Sequence, residues 1–298
     1  MIYFVTHPHH RYTLELFASE FNRRFGLLLG VQDYSIRPAE YATWGDTIIA
    51  CDQERLRGPN LAQFYGCIRE AESRRTRVLN AGADRLGRLE VLQTLSRAGV
   101  NPFNAYPADG VPDGVTFPVF CRSRFGHGGP ISALINDADE LATVLAELDC
   151  PSSMVIEYVD TRSSTDEPYH KYGAFFFDGT VVKRHCFAGS KWTVRNSGNC
   201  TERELKRERA YIFDPASHQS TIASACGIVG CQYGRVDYAV TSDGRICIFE
   251  INTNPTVIDE EDVKVGERQW LCDRFLVQAE RALARIDAEG RVLSARYG

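Results

Sequence analysis

Gly234-Arg235-Val236-Asp237-Tyr238 and Phe249-Glu250-Ile251-Asn252 are the most informative segments of this 298-residue chain, and the pair Asp243-Gly244 lies between them. Apolar runs on both sides of an Asp-Gly pair predict a β-hairpin with a two-residue turn. In that register Asp237 lies opposite Glu250, and Arg235 lies opposite Asn252. Because successive side chains alternate between the two faces of a strand, all four project from one face.

Two carboxylates that face each other directly destabilise a sheet, so Asp237 and Glu250 require a positive charge nearby. Arg235 supplies one, but a divalent cation suits the pair better. Mg²⁺ is typically held by one or two carboxylates together with substrate phosphates, and Asn252 adds a neutral oxygen ligand. The pattern therefore predicts a magnesium site on this hairpin.

A solvated hairpin face with an ordinary salt bridge is the alternative interpretation. Ile246 and Ile248 argue against it, because alternation along the strand places both on the face that carries Glu250. Apolar neighbours favour the mouth of a cleft over a wet outer surface. A three-residue turn would flip one strand and remove this argument.

Residues 1–82 alternate strands with helices and form the first predicted domain. Strands are expected at residues 2–5, 47–51 and 77–80, and Thr13 and Asn60 are expected to open helices. This alternation predicts a small parallel sheet that is covered by helices on both faces.

Residues 83–160 form the second predicted domain. Asp84 is expected to cap its first helix, and residues 104–116 have the Pro- and Gly-rich composition of a linker. A strand at residues 117–122 leads into a glycine-rich loop. Another strand is expected at residues 154–159.

Residues 161–298 form the third predicted domain. Asp178-Gly179 and Asp243-Gly244 each mark the turn of a hairpin, and a long helix closes the chain. Residues 189–209 are polar and carry no clear strand or helix pattern. The three units together belong to the α/β and α+β fold classes.

Composition excludes several classes of protein. The 34 basic residues are outnumbered by 39 acidic ones, so the net charge of −5 disfavours a nucleic-acid partner. No stretch approaches the ~18 continuous apolar residues of a membrane helix. The N-terminus lacks the pattern of a secretion signal, and the ten cysteines include no Cys-x-x-Cys pair. We therefore expect a cytoplasmic protein with reduced, mostly buried thiols.

The acidic hairpin and the Thr253-Asn254-Pro255 that follows it resemble the metal-binding end of the ATP-grasp superfamily, which includes D-alanine–D-alanine ligase and glutathione synthetase. The helix that ends at Gly99, the loop segment 117–130 and the hinge segment 155–159 are similar to the family's central domain. The resemblance implies an ATP-grasp fold, in which a small N-terminal parallel α/β lobe joins two α+β subdomains that clasp ATP.

The same resemblance implies roles for individual residues. Asp237, Glu250 and Asn252 would hold one or two Mg²⁺ ions, for which Mn²⁺ can substitute, and Arg235 would meet the transferred phosphate or the developing oxyanion. ATP would be bound by the hinge, by the loop and by two arginines that stand where the family usually has lysine. These positions are Glu157, Tyr158, Val159, Asp160, Gly126, His127, Gly128, Gly129, Arg88 and Arg122. Without its flanking strand, the glycine loop would equally suit a flexible surface turn.

The hairpin at Asp178-Gly179 supplies further cations. A two-residue turn pairs Lys171 with Cys186 and puts Arg184 diagonally beside it, whereas Lys183 and His185 point the other way. Lys171 and Arg184 are candidates for phosphate or acyl-phosphate contacts. A surface charge pair is the alternative.

Substrate contacts are expected from loops at the ends of strands, where ligands of open α/β sheets bind. The candidates are His7, Lys191, Trp192, Asn254 and Thr256. Trp192 would line a pocket or anchor its loop. A metal site at the His7, His9 and His10 group is not expected, because no carboxylate or cysteine is spaced near it in the sequence.

Most members of the family are ligases, so the resemblance implies an ADP-forming carboxylate–amine ligase. ATP would phosphorylate the carboxylate of a small acid, amino acid or peptide, and an amine would then displace phosphate. A kinase for a small-molecule hydroxyl and an ATP-binding module without turnover are the alternatives. The module predicts damaged metal ligands, and all three are present here. A homodimer is compatible with the sequence.

Overall fold

The computed structural model describes residues 1–35, 47–82, 86–126, 128–195, 201–214, 217–259 and 266–297. Asp84 and His127 lie outside these residues. Three sheets carry the fold, and each predicted domain contains one of them. The mixed α/β and α+β class is therefore confirmed.

The N-terminal sheet is parallel and has four strands. They are β1 (Ile2–Thr6), β2 (Leu29–Asp33), β3 (Thr47–Ala50) and β4 (Arg77–Leu79), in the order β2-β1-β3-β4. Helices α1 (Tyr12–Arg24) and α2 (Gly58–Ser73) pack on it. Leu14, Phe17 and Phe21 of α1 are buried. Strand β2 was not predicted.

Neither helix begins where it was predicted to begin. Helix α1 starts at Tyr12, and the hydroxyl of Thr13 donates to His10 O and Asn254 Oδ1 instead of capping. Helix α2 starts at Gly58 rather than at Asn60, and no side chain caps it.

The second sheet is antiparallel and has three strands. They are β5 (Ala105–Pro107), β6 (Val119–Ser123) and β7 (Ser153–Glu157), in the order β5-β7-β6. Helices α3 (Arg88–Arg97) and α4 (Ala138–Ala146) belong to this part of the chain. Strand β5 lies inside the predicted linker, and its proline is tolerated because β5 is an edge strand.

The third sheet is antiparallel and has four strands. They are β8 (Tyr169–Phe177), β9 (Thr180–Gly189), β10 (Tyr233–Val240) and β11 (Ile246–Asn252), in the order β11-β10-β8-β9. The remaining helices are α5 (Glu202–Phe213), α6 (Gln219–Val229) and α7 (Glu267–Tyr297). Helix α5 occupies the polar stretch, and its only clear sequence signal is the capping box of Thr201 and Glu204.

The first and third sheets share one hydrophobic core. Phe4 of β1 packs against Tyr233 of β10 with ring centroids 5.2 Å apart, and Phe175 of β8 packs against Phe275 of α7 at 5.0 Å. This shared core fixes the N-terminal lobe relative to the acidic hairpin.

The thiols are mostly buried in the structure, as expected. The nine cysteines that the structure describes form no disulfide, and all of them except Cys150 are buried. Among the described residues, no helix combines the length and apolar character that crossing a membrane requires.

Asn80 joins the two sheets with polar contacts. Its side-chain Nδ2 donates to Ala50 O and Tyr233 O, and its Oδ1 accepts from Gln232 N at 2.7 Å and Tyr233 N at 3.0 Å. The residue is buried and has a left-handed backbone with φ of 60°. Asparagine tolerates that conformation better than most residues do.

Substituting Asn80 should therefore loosen the junction of the two sheets. We expect Asn80→Ala to lower the free energy of unfolding by about 3 kcal/mol, because four buried backbone groups lose a partner. Asn80→Gly loses the same bonds but adopts positive φ without strain, so it should be about 1 kcal/mol more stable than the alanine variant. Urea unfolding measures both. A loss below about 0.5 kcal/mol in both variants would contradict the role of Asn80.

Candidate active site

The turn of the acidic hairpin contains three residues rather than two. Thr241 N donates to Arg245 O at 2.9 Å, and Val240 pairs with Ile246. A β-bulge at Phe249 then adds one residue to β11, so that Asp237 lies opposite Glu250 after all. The predicted pairing is confirmed, but the two-residue turn from which it was derived is wrong. The extra residue in the turn and the extra residue in the bulge therefore compensate for each other, and the pairing of Asp237 with Glu250 is preserved.

The bulge also corrects the expected faces of β11. Ile246 and Ile248 do not share a face with Glu250, because both are buried in the core beneath the sheet together with Ile251. Cys247 and Phe249 instead pack on the side of the second sheet. The cleft next to Glu250 is therefore formed by Phe249 and its neighbours and not by the two isoleucines.

Arginines hold both carboxylates of the hairpin. Glu250 accepts from Arg88 Nη2 through Oε1 and from Arg122 Nη2 through Oε2, each at 2.7 Å. Asp237 accepts from Nε of Arg235 at 2.7 Å and from Nη2 at 3.0 Å. The side chain of Glu250 is only 13% exposed. Such buried charges require close partners, because desolvation is costly.

The guanidinium groups also control the titration of Glu250. Burial by itself raises the pKa of its carboxyl group, but the charges of Arg122 and Arg88 and their hydrogen bonds outweigh burial. The net result is a pKa well below the ordinary value of 4.5. Glu250 is therefore ionised at every pH at which the protein would normally work.

The hairpin opens into a cavity of about 1000 Å³, which is the size of a substantial small-molecule site. The polar part of the cavity is lined by the hairpin residues and by cations from β6 and from the β8–β9 hairpin: Arg122, Lys171, Arg184, Arg235, Asp237, Glu250 and Asn252. Glycines of the loop, Gly128 and Gly129, close one side. The structure thus brings most of the predicted site residues together.

One part of the cavity is an apolar slot. Phe120, Ile156, Val159 and Phe249 pack together in it, and Trp192 contacts Phe120 with a centroid distance of 4.9 Å. Trp192 also lies 5.8 Å from the ring of Tyr158. Trp192 therefore lines the apolar slot, next to the hinge segment.

The second hairpin also contains a bulge. Phe177 pairs with Thr180 across the predicted two-residue turn, but the register shifts after Ala174, so Lys171 lies opposite Phe187 and not Cys186. The shift falls at Arg184. As a result Arg184 and His185 both line the cavity, and the expectation that His185 points away is wrong.

Lys171 and Arg184 occupy different surroundings. Burial lowers the pKa of Lys171, while the charge of Asp237 opposes that shift, so the ammonium lies within the electrostatic reach of the acidic hairpin. Arg184 is buried, donates from Nε to Val257 O at 3.1 Å and lies over the ring of Phe275.

Arg88 and Arg122, which were both expected to bind ATP, lie in different places relative to the cavity. Arg88 is outside the cavity, because its Nη1 donates to the carbonyl oxygens of Ser123, Arg124 and Gly126. It orients the start of the glycine loop and the carboxylate of Glu250. Its position does not support a direct contact with ATP. Arg122 lines the cavity, and its buried Nε has no acceptor among the described residues.

The hinge residues are partly engaged within the fold. The carboxylate of Glu157 accepts from Asn104 N, Tyr106 Oη and Thr116 N. Backbone N of Glu157 and of Tyr158 donate to Asn104 O and Pro118 O. Asp160 is 44% exposed, is bonded to Arg162 and is absent from the cavity wall, which Val159 and Thr161 line instead.

The candidates for substrate contact separate into two groups. Asn254 and Thr256 line the cavity, and Asn254 is anchored by Thr13 and by His10 O. His7 and Lys191 do not line it. Gly126 does not line the cavity either, and its carbonyl oxygen accepts from Arg88.

Sequence reasoning missed several cavity residues. Tyr12, Thr13 and Arg55 reach the cavity from the N-terminal lobe, and His170 and Arg195 reach it from the third domain. None belongs to a motif, and only the packing of the lobes brings them together. Burial lowers the pKa of His170 to about 4, with the charge of Arg207 as the next cause.

The residues present suit a magnesium–phosphate group. Asp237, Glu250 and Asn252 offer oxygen donors at one edge of the sheet, and oxygen is the donor that Mg²⁺ prefers. Arg122 adds a buried donor without an acceptor among the described residues. An anion with several oxygens would satisfy that donor.

No protein-family model matches the sequence, and no curated protein is significantly similar to it. Solved structures do match it. D-alanine–D-alanine ligase from Coxiella burnetii is similar with a TM-score of 0.55 and 12% identity, over 99% of this chain and 98% of that one.

Two further matches agree. The RimK domain ATP-grasp protein from Sphaerobacter thermophilus has a TM-score of 0.53 and 15% identity over 95% of this chain and 98% of that one. The ATP-grasp ligase PsnB, complexed with minimal precursor, Mg and ADP, has a TM-score of 0.52 and 13% identity over 93% and 96%. The chain therefore has the ATP-grasp fold, as the resemblance predicted.

The paired state of Glu250 predicts a pH-dependent loss of stability. At pH 7, Glu250→Gln should lower the free energy of unfolding by about 3 kcal/mol, because two buried arginines lose their counter-charge. The pKa of Glu250 is lowered by folding, so this stabilisation is fully present above its unfolded value of about 4.5 and disappears as pH falls further. The difference between wild type and variant should therefore shrink below about pH 4.5.

Urea unfolding at several pH values measures this difference. Glu90→Gln is the matched control, since Glu90 pairs with Arg124 at 2.8 Å but is 41% exposed. We expect the control to lose much less stability. If the difference in unfolding free energy between wild type and Glu250→Gln grows as the pH falls, Glu250 is not the ionised partner of the two arginines.

Proposed function

We propose that this protein is an ATP-dependent, ADP-forming ligase that joins a carboxylate to an amine through an acyl-phosphate. The observation that carries the proposal is the arrangement of Glu250 between two arginines, opposite Asp237, on the wall of a large cavity in an ATP-grasp fold. The proteins with similar structures include a D-alanine–D-alanine ligase and an ATP-grasp ligase that is complexed with a precursor peptide.

The charge balance of the site supports a nucleotide. Four cations, from Arg88, Arg122, Lys171 and Arg235, are grouped around the carboxylates of Asp237 and Glu250. The group therefore has an excess of two positive charges. ATP with one Mg²⁺ carries two negative charges in excess, so the bound complex would be nearly neutral.

Asp237, Glu250 and Asn252 would hold Mg²⁺, which supplies neutralisation of phosphate charge when it is bound. In this proposal Arg122 and Arg235 rotate from the carboxylates to phosphate oxygens. Arginine suits such an exchange, because its planar donors match carboxylate and phosphate equally well. Each carboxylate would then be available to the metal.

We assign adenine to the apolar slot. A purine ring would lie between Trp192 and Phe249, where aromatic and aliphatic side chains offer a flat apolar surface. The amide of Val159 is the hinge donor that we assign to the base. Glycine at positions 128 and 129 would allow the loop backbone to approach the phosphates closely.

The acid and the amine would occupy the part of the cavity next to the N-terminal lobe. Arg55 and Arg184 are the cations there, together with the polar side chains of Thr13, Asn254 and Thr256. Two arginines suit a carboxylate substrate, and Arg235 would face the oxygen of the reacting carbonyl group. Catalysis would come from positioning and charge neutralisation.

The metal role of Glu250 predicts a loss of activity without a loss of fold. We expect Glu250→Gln to reduce Mg²⁺-dependent ADP release at least about a hundredfold, because phosphate charge is no longer neutralised correctly. Asp243→Asn is the matched control on the same hairpin, since Asp243 is exposed at the turn and pairs with Arg245. ADP release is measured with amino acids, peptides and small acids as acceptors.

Near-normal turnover of Glu250→Gln would refute the metal role. Equal losses in both variants would also refute it, because Asp243 lies outside the cavity.

Hydroxylamine trapping tests the reaction type. A ligase of this kind should form a hydroxamate together with ADP when hydroxylamine replaces the amine, because hydroxylamine attacks an acyl-phosphate. ADP together with a stable phosphorylated product and no hydroxamate would identify a kinase and sink the ligase proposal.

A further inference from the structure

A second polar cluster lies at the carboxyl-terminal edge of the N-terminal sheet, outside the cavity wall. His7 and His10 follow β1, and Asp52 follows β3. Because β1 and β3 are adjacent parallel strands, their ends meet at this edge. One ring nitrogen of each histidine and one carboxylate oxygen of Asp52 all lie within 4.8 Å of one another.

The carboxylate of Asp52 is buried and firmly held. It is 0% exposed, its Oδ2 lies 2.5 Å from His10 Nδ1, and its Oδ1 lies 2.8 Å from Arg55 Nη1. The backbone of Asp52 is left-handed, with φ of 70°. A residue held in that uncommon conformation is often one whose side chain has a function.

We propose that His7, His10 and Asp52 form a site for one divalent transition-metal ion of the zinc class. Two imidazoles and one carboxylate are a ligand set that zinc uses in three-ligand sites, with a further position left for water or substrate. Ligand atoms around a tetrahedral zinc lie roughly 3.3 Å apart. The contact between His10 Nδ1 and Asp52 Oδ2, at 2.5 Å, would therefore have to lengthen by about 0.8 Å, and no other pair of ligand atoms would have to approach by more than about 1.5 Å.

Neighbouring groups already orient the proposed ligands. His7 Nδ1 accepts from His9 N at 3.3 Å, and His7 Nε2 lies 3.0 Å from Asn60 Nδ2. Metal-bound histidines normally keep a hydrogen bond at the nitrogen that does not face the ion. An imidazole that binds the ion through Nδ1 carries its proton on Nε2, so the bond from His9 N would give way, and Nε2 would donate to the side-chain oxygen of Asn60 with that amide turned over. Arg55 would orient the carboxylate of Asp52 in the same manner.

The donor atoms separate this site from the acidic hairpin. Imidazole nitrogen favours zinc and other later transition metals, whereas an all-oxygen set favours Mg²⁺ and Mn²⁺. The two sites would therefore select different ions. They are connected through Arg55, which contacts Asp52 and lines the cavity, and through His10 O, which accepts from Asn254 Nδ2 at 3.2 Å.

Zinc titration of the metal-free 298-residue chain, without nucleotide, tests the proposal. We expect one equivalent of Zn²⁺ to bind, with an increase in the thermal midpoint, because a ligand that binds only the folded state stabilises it. His7→Gln should weaken binding at least about a hundredfold, since loss of an outer-sphere partner alone costs 10- to 100-fold. Asp52→Asn should weaken it similarly, with circular dichroism confirming that each variant is folded.

Two control variants distinguish zinc binding at this cluster from zinc binding elsewhere on the protein. His9→Gln removes the neighbouring exposed histidine and should leave zinc affinity unchanged within about threefold, because the ring of His9 is not one of the three clustered ligands and the hydrogen bond to His7 comes from the backbone of His9. Glu250→Gln should also retain zinc binding, because its carboxylate belongs to the other site. Co²⁺ titration should give visible absorption bands that are lost in His7→Gln.

Three results would overturn the proposal. They are the absence of stoichiometric zinc binding in the wild type, equal affinity in the wild type and His7→Gln, and loss of binding in Glu250→Gln. The last result would assign the zinc to the acidic hairpin. None of these results depends on the ligase activity, so failure of this site and failure of the proposed function can be distinguished.

Discussion

The carboxylate of Glu250 is the point at which three parts of the chain meet. Arg88 approaches it from α3 and Arg122 from β6, each at 2.7 Å, while Glu250 itself lies on β11. Arg88 also donates to the carbonyl oxygen of Ser123 at the end of β6 and to those of Arg124 and Gly126 in the loop that follows. One buried ion-pair network thus fixes the second sheet, the glycine loop and the acidic hairpin relative to one another.

The same network prepares the site for an anion. A buried carboxylate with two arginines is costly to desolvate and gains little net stability over an apolar replacement. This arrangement has a physical explanation if the guanidinium groups leave the carboxylate and bind a phosphate when one enters the cavity. The Nε of Arg122, which has no acceptor among the described residues, and the nearby ammonium of Lys171 both suit a phosphate anion. The proposed function rests on this exchange.

The sequence predicted the architecture well because its strongest signals are local. Asp-Gly turns and the alternation of strand and helix predicted most of the strands. Strand β5 and helix α5 were missed, because a three-residue edge strand with a proline and a polar surface helix leave weak patterns. Long-range pairing, such as that of β1 with β2, depends on packing and is not encoded in any short segment.

The site was predicted less completely, for a specific reason. Residue counting cannot reveal a β-bulge, and the hairpins contain one at Phe249 and one at Arg184. The first restored the predicted facing of Asp237 and Glu250, and the second turned His185 into the cavity. Spacing in the sequence also hid the proximity of Asp52 to His10, since 42 positions separate them. Ligands from adjacent parallel strands become visible only in three dimensions.

Binding of Mn²⁺ with and without a non-hydrolysable ATP analogue, followed by electron paramagnetic resonance, tests the arginine exchange most directly. The exchange predicts weak Mn²⁺ binding to the protein alone, because Arg88, Arg122 and Arg235 occupy the carboxylates. Adding the nucleotide analogue should increase the affinity of the protein for Mn²⁺ by more than the analogue's own binding of Mn²⁺ explains. Glu250→Gln should abolish this increase in affinity. Equally tight Mn²⁺ binding without nucleotide, or an undiminished gain in the variant, would contradict the exchange.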